Sequence, residues 1–220
     1  MTFQVVILSA ILEQFVASVG VLKIESFSYR SLSVVHTGQG EVTALAQAYF
    51  AAPDRYREDA TMSFGKIVTI RHGDEAWAAT PRGVSELTAD QRRRTMEHLY
   101  RNYLGLLWAA TEGSVEAEET DAGEWILRVD GFELNASFDQ STGRLLQISM
   151  PGSNLAGAVV TEKRVFSEFD PDTNLPNRVH VYQDDELAAE ITIKTWSVND
   201  ALAPELFERP EDEEEGEREP

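Results

Sequence analysis

The chain has 220 residues, 42% of them hydrophobic, enough to bury one substantial core. It has no cysteine, which excludes a disulfide framework and a zinc–thiolate site. A formal charge of −19 makes it repel phosphate backbones and argues against nucleic acid as a partner.

Leu8, Ile11, Leu12, Phe15 and Val19 fall at helical spacing and Gly20 can stop the run, which predicts an N-terminal amphipathic helix over residues 2–19. The apolar run Val5 to Leu12 also has the look of a signal-peptide core, but no Lys or Arg precedes Lys23. A folded helix is the better reading. No stretch reaches the roughly 20 apolar residues that a membrane-spanning helix needs.

Ile24 to Thr37 is rich in β-formers, and Gly38-Gln39-Gly40 turns it into a second strand where Val42, Ala44, Ala46, Ala48 and Phe50 alternate with Thr43, Gln47 and Tyr49. Pro53 has no amide for a ladder and belongs at a strand entrance. Beyond it Tyr56, Ala60, Met62 and Phe64 alternate with polar residues, interrupted by Glu58. Glycines at Gly65 and Gly73 supply hairpin turns, so Tyr49 to Val84 reads as a meander.

The period then changes. Thr88-Ala89-Asp90-Gln91 fits a capping box, and a helical insertion follows over about 88–110. Met96, Leu99, Tyr100, Tyr103 and Leu107 share one face, with Arg92, Arg93, Arg94, Glu97 and Arg101 turned outward as a solvated face. Gly105 marks a weak point in that helix.

Strands resume at Trp125, Leu127 and Val129. Phe132, Leu134, Ala136 and Phe138 then alternate with Glu133, Asn135 and Ser137. Asp139 to Gly143 is a hairpin loop into Leu145 to Met150, and Pro151 to Gly157 reads as a connector. Val159 to Phe169, Arg178 to Gln183 and Leu187 to Val198 complete about eleven strands. Residues 211–220 carry seven acids and one Arg and are expected to be disordered. The expectation is one α+β domain over 1–210: a strongly curved antiparallel sheet, a half-open barrel, with helices on its concave face.

Catalytic and metal patterns are not found. His36, His72, His98 and His180 lack metal-ligand spacing, and Asp170 to Asn174 fails as a calcium loop because Leu175 and Val181 stand where Gly and Glu are needed. No glycine-rich phosphate loop or nucleophile elbow occurs, so neither enzyme chemistry nor a cofactor is expected. Aromatic and apolar residues remain: Phe50, Tyr56, Met62, Trp77, Leu99, Tyr103, Leu107, Trp125, Phe132 and Phe166. They fit either a filled core or the wall of an apolar cavity under a helical lid.

The order of elements resembles the bacterial outer-membrane lipoprotein carriers, the Lol-type family, whose relatives include periplasmic modules that restrain envelope-stress signalling. Pro53-Asp54-Arg55-Tyr56-Arg57 is similar to that family's Pro-x-x-Phe/Tyr-Arg strand entrance. His72 to Trp77 resembles its Asp-Gly-x-x-x-Trp hairpin, with His72 in place of the acid. Asp139 to Leu145 resembles its Asp-x-x-Thr-Gly-x-Leu turn. The resemblance implies a lipid or acylated protein as ligand, with an envelope protein as a further partner, and a periplasmic location. The missing basic leader leaves a cytoplasmic location open. It also implies that Arg57 latches the lid, while alternation places Arg57 among the exposed residues. The alternative function is a regulatory or scaffold module with a filled interior.

Overall fold

The computed structural model describes residues 10–153 and 157–211. In chain order the elements are α1 (Ala10–Val19), β1 (Ser26–Thr37), β2 (Gly40–Ala51), β3 (Arg55–Met62), β4 (Gly65–His72), β5 (Glu75–Thr80), β6 (Gly83–Glu86), α2 (Ala89–Tyr100), α3 (Tyr103–Thr111), β7 (Val115–Glu119), β8 (Trp125–Val129), β9 (Phe132–Phe138), β10 (Leu145–Ser153), β11 (Val159–Phe169), β12 (Pro176–Gln183) and β13 (Glu186–Val198). A 3-10 turn, Pro204–Phe207, follows. Residues 2–9 of the expected first helix, and all of the acidic tail after Glu211, lie outside the described residues.

All thirteen strands form one open antiparallel sheet, ordered β6-β5-β4-β3-β2-β1-β13-β12-β11-β10-β9-β8-β7. The first and last strands pair at its centre, and every other neighbour is a hairpin partner. The two edges, β6 and β7, are joined only by α2 and α3, which therefore cross the inner face from edge to edge.

The strand count exceeds the expected eleven because β6 and β7 carry no strand pattern in the sequence. Both are edge strands, short and polar: Gly83–Glu86 reads GVSE and Val115–Glu119 reads VEAEE. An edge strand is kept charged so that it does not template another chain, which erases the pattern by which a strand is recognised. The connector expected over Pro151 to Gly157 is also partly strand. Pro151 pairs with Thr161 of β11, at a point where β10 has run past its last partner on β9, so the missing amide costs no ladder bond.

The core lies between the sheet's inner face and the helices. Ile11, Leu12 and Phe15 of α1 are buried on one stripe, whereas Tyr103 to Ala110 of α3 are buried all round. Phe15, Tyr103 and Phe138 interlock edge to face at 5.3 and 5.6 Å. Gly143, in the β9–β10 turn, has φ +73° and a Cβ there would lie 2.4 Å from the Gln14 carbonyl, so the turn needs glycine on both counts.

The outer face is covered too, over part of its area. Register places Tyr49, Arg57, Ile70 and Trp77 in one row across β2 to β5. Ile70 is 1% exposed and Phe207 fully buried, because the C-terminal 3-10 turn packs against β3 and β4.

Candidate functional site

The helical insertion is two helices rather than one. The break falls at Arg101-Asn102, ahead of the Gly105 weak point. Asn102 caps α3, accepting from the Leu104 amide at 3.0 Å, and the Arg101 amide closes α2 onto the Glu97 carbonyl at 3.1 Å. Thr88 and Gln91 form the expected capping box at the start of α2. Gly105 permits the tight corner: a Cβ there would sit 2.0 Å from the Leu99 carbonyl.

Beneath that corner is a cavity of about 160 Å³. Phe166, Val179, Ile191, Ile193, Trp196 and Tyr103 make its apolar wall; Glu58, His98, Arg101 and Arg164 make its polar end. A second, more open recess of about 290 Å³ lies on the far side of Glu58 and His98, which line both spaces.

The polar end fastens the helices to the sheet. Arg101 donates to Glu162 of β11 at 3.1 Å, and to Glu97 one turn back on α2. Arg164 donates to the other oxygen of Glu162 at 2.8 Å and to the Arg101 carbonyl at 3.4 Å. His98 meets Glu58 of β3 at 3.2 Å, and the Tyr56 hydroxyl donates to the same oxygen at 2.7 Å. The side chains of Arg101, Arg164 and Glu162 are only 14, 13 and 7% exposed, so the cluster works at reduced dielectric. Burial opposes ionisation of Glu58, but the His98 charge and the bonds from His98 and Tyr56 outweigh it and hold the carboxyl at about 2. Burial likewise opposes ionisation of Glu162, and the charges of Arg164 and Arg101 hold it below the ordinary range. Burial pushes the Tyr56 and Tyr29 hydroxyls well up.

The residues singled out from sequence fall into three groups. Phe50, Tyr56, Leu99, Tyr103, Leu107 and Phe166 are buried in one core cluster, with Trp125 and Phe132 packed against it. Only Tyr103 and Phe166 reach the 160 Å³ cavity; Tyr56 lines the neighbouring recess. Met62 is half-buried at the hairpin end of β3. Trp77 pairs with Ile70 and Glu86 on the outer face, away from the helices, because its parity along β5 is that of the outer row.

Arg57 is also on the outer face. It pairs with Asp59 at 2.6 Å and donates to the Leu206 carbonyl at 3.1 Å, so the carbonyl it grips belongs to the C-terminal turn and not to a lid helix. The strand arginine that bonds a backbone carbonyl at the α2–α3 corner, that of Arg101, is Arg164. Arg101, expected to face solvent, turns inward. The signals were faint: Glu58 interrupts an apolar alternation, and Glu162 and Arg164 share the parity of buried Phe166.

No protein-family model and no curated protein sequence matches the chain. Solved structures do. A LolA-superfamily protein from Nitrosomonas europaea is 13% identical, with 91% of this chain and 96% of that one covered at a TM-score of 0.55. A protein of the DUF1329 family from Desulfovibrio piger is 13% identical, covering 91% and 97% at 0.56. A domain described as an outer membrane lipoprotein-sorting protein, from Vibrio parahaemolyticus, is 11% identical, covering 90% and 94% at 0.52. The chain shares the fold of these structures, the LolA-superfamily protein among them. At these identities the LolA-like likeness concerns the sheet and its helical bridge rather than individual side chains.

Proposed function

We propose that this protein is a non-catalytic binder of a lipid or acylated ligand, taken up between the sheet and the α2–α3 bridge. One observation carries the reading: the bridge is fastened to the inner face by charged pairs set beside an apolar cavity. Parting an apolar seam exposes area at about 25 cal/mol per Å². Parting a seam of buried charges returns them to water, which offsets much of the lost attraction. Such a joint can open, and an acyl chain against Phe166, Val179, Ile191 and Ile193 then replaces the apolar contacts given up. A lipoprotein-sorting domain among the structural neighbours supports the same class of ligand, with an acylated protein as its natural bearer and the bacterial periplasm as the fitting location.

Native mass spectrometry with organic extraction, followed by titration with a fluorescent fatty acid, tests this. Near-stoichiometric lipid, or saturable uptake faster in Arg164→Met than in the parent chain, is the expected result. An apo mass with no uptake would overturn it. The cavity of about 160 Å³ is small beside the roughly 300–1,000 Å³ of ligand pockets, and this favours a second reading, a scaffold module with a filled interior that meets an envelope protein. Failure of lipid uptake with a rigid α2–α3 in hydrogen exchange would support that alternative.

A further inference from the structure

Arg92 and Arg93 read from sequence as part of a solvated face, but the fold gathers them with Arg71 of β4. The three surround an opening of about 340 Å³ at the start of α2, where the β4–β5 and β8–β9 turns flank the helix; Asp74, Asp130 and Phe132 complete it. Arg71 uses Nε on the Gly73 carbonyl at 3.0 Å. Arg92 uses one nitrogen on the Leu87 carbonyl at 3.0 Å and faces Glu86 at 3.5 Å. Arg93 lies over the Phe132 ring at 5.1 Å, a contact that consumes none of its donors. Among the described residues no carboxylate comes within 4 Å of Arg71 or Arg93, although the chain holds 38 acids against 19 bases and two of those acids share the opening. A guanidinium offers five donors, so most of those on Arg71 and Arg93 have no protein acceptor.

The aromatic ring at the rim of the opening packs on the core. Phe132 meets Tyr100 at 5.9 Å, Tyr100 stacks on Trp108 at 6.5 Å, and Trp108 meets Phe50 at 4.6 Å. We infer that this opening is a headgroup site for a phosphate-type anion, and, resting on the reading proposed above, that the anion is the head of an amphiphile whose chain lies under the helices. Three arginines against Asp74, Asp130 and the Glu86 that faces Arg92 leave no net formal charge, so field alone holds no anion. Selection then falls to geometry: two guanidinium forks suit a tetrahedral phosphate with several acceptor oxygens better than a carboxylate.

The test titrates the full chain with dodecyl phosphate and dodecyl maltoside, both below micelle formation, and with inorganic phosphate, in the parent and in Arg71→Gln/Arg93→Gln. The parent should bind dodecyl phosphate at least about tenfold more tightly than dodecyl maltoside, the worth of one charge-assisted hydrogen bond. The double variant should lose that preference while keeping its Tm and its affinity for dodecyl maltoside. Arg93→Gln alone, at an exposed position, should lose part of it. Equal binding of the two amphiphiles by the parent, or a preference that survives in the double variant, overturns the headgroup site and leaves acyl binding standing. If neither amphiphile binds, the proposed function fails instead. In that case inorganic phosphate that shifts arginine NMR signals in the parent, but not in the double variant, supports a site for the free anion; no shift overturns it.

Discussion

The guanidinium of Arg101, at the end of α2, meets the carboxylate of Glu162 on β11 at 3.1 Å across 61 residues of chain. Glu162 is shared with Arg164, so one carboxylate ties the helical bridge to the sheet. Removing one partner of a buried pair leaves the other charge uncompensated, at a cost of about 3–5 kcal/mol. Glu162→Gln should fall near the lower end of that range in urea unfolding, because Glu97 still answers Arg101. Replacing all three of Arg101, Glu162 and Arg164 by Met should recover most of the loss while slowing exchange of the α2–α3 amides. A triple variant no more stable than Glu162→Gln would show that the cluster contributes net stability.

Acid should loosen the same joint. Glu58 is held at about 2 against an ordinary 4.5, so its ionised form favours the folded state at any pH above about 4.5. That stability is lost progressively as the pH falls from 4.5 toward 2, with an upper bound of about 3 kcal/mol. Glu162 and Asp59 are depressed in the same direction and add to the loss. Tm measured from pH 6 to pH 2.5 should fall less steeply in Glu58→Gln than in the parent; identical slopes would remove Glu58 as a cause.

Gly105→Ala should be costly even though alanine is the better helix former. Its Cβ has no room beside the Leu99 carbonyl, so α2 and α3 must separate or the corner must unwind. A loss of about 2 kcal/mol or more is expected, in the range of overpacked cores. Thermal melting decides it, and a gain in Tm would mean that the corner relaxes freely.

Arg57→Leu should act on the outer face. It removes an ion pair with Asp59 and a bond to the Leu206 carbonyl, so about 1–2 kcal/mol of stability should be lost. Faster exchange should be confined to the C-terminal turn and β3. If acyl retention changed while the C-terminal turn did not, the lid would reach Arg57 by a route absent from this geometry.

Much of the fold was legible in local pattern. Phe132 to Phe138 alternates cleanly because one side of β9 faces the core and the other water. Thr88 and Gln91 announced α2 because a capping box is made by four consecutive residues. The edge strands β6 and β7 were not legible, since the charges that protect an edge remove the apolar signal.

Local pattern was enough for the antiparallel run of hairpins, the helical insertion and most of the apolar residues of the core, because each follows from contacts between near neighbours. Which face each strand presents inward depends on long-range packing. Alternation separates two faces without naming them, and here both are partly covered, so Trp77 and Arg57 went to the outside while Glu58 and Arg164 went in. The fastening of helices to sheet was likewise out of reach. A buried carboxylate is tolerable only beside its partners; Arg164 stands two residues from Glu162 on the same strand, but His98 for Glu58 and Arg101 for Glu162 come from α2 and its cap, far along the chain.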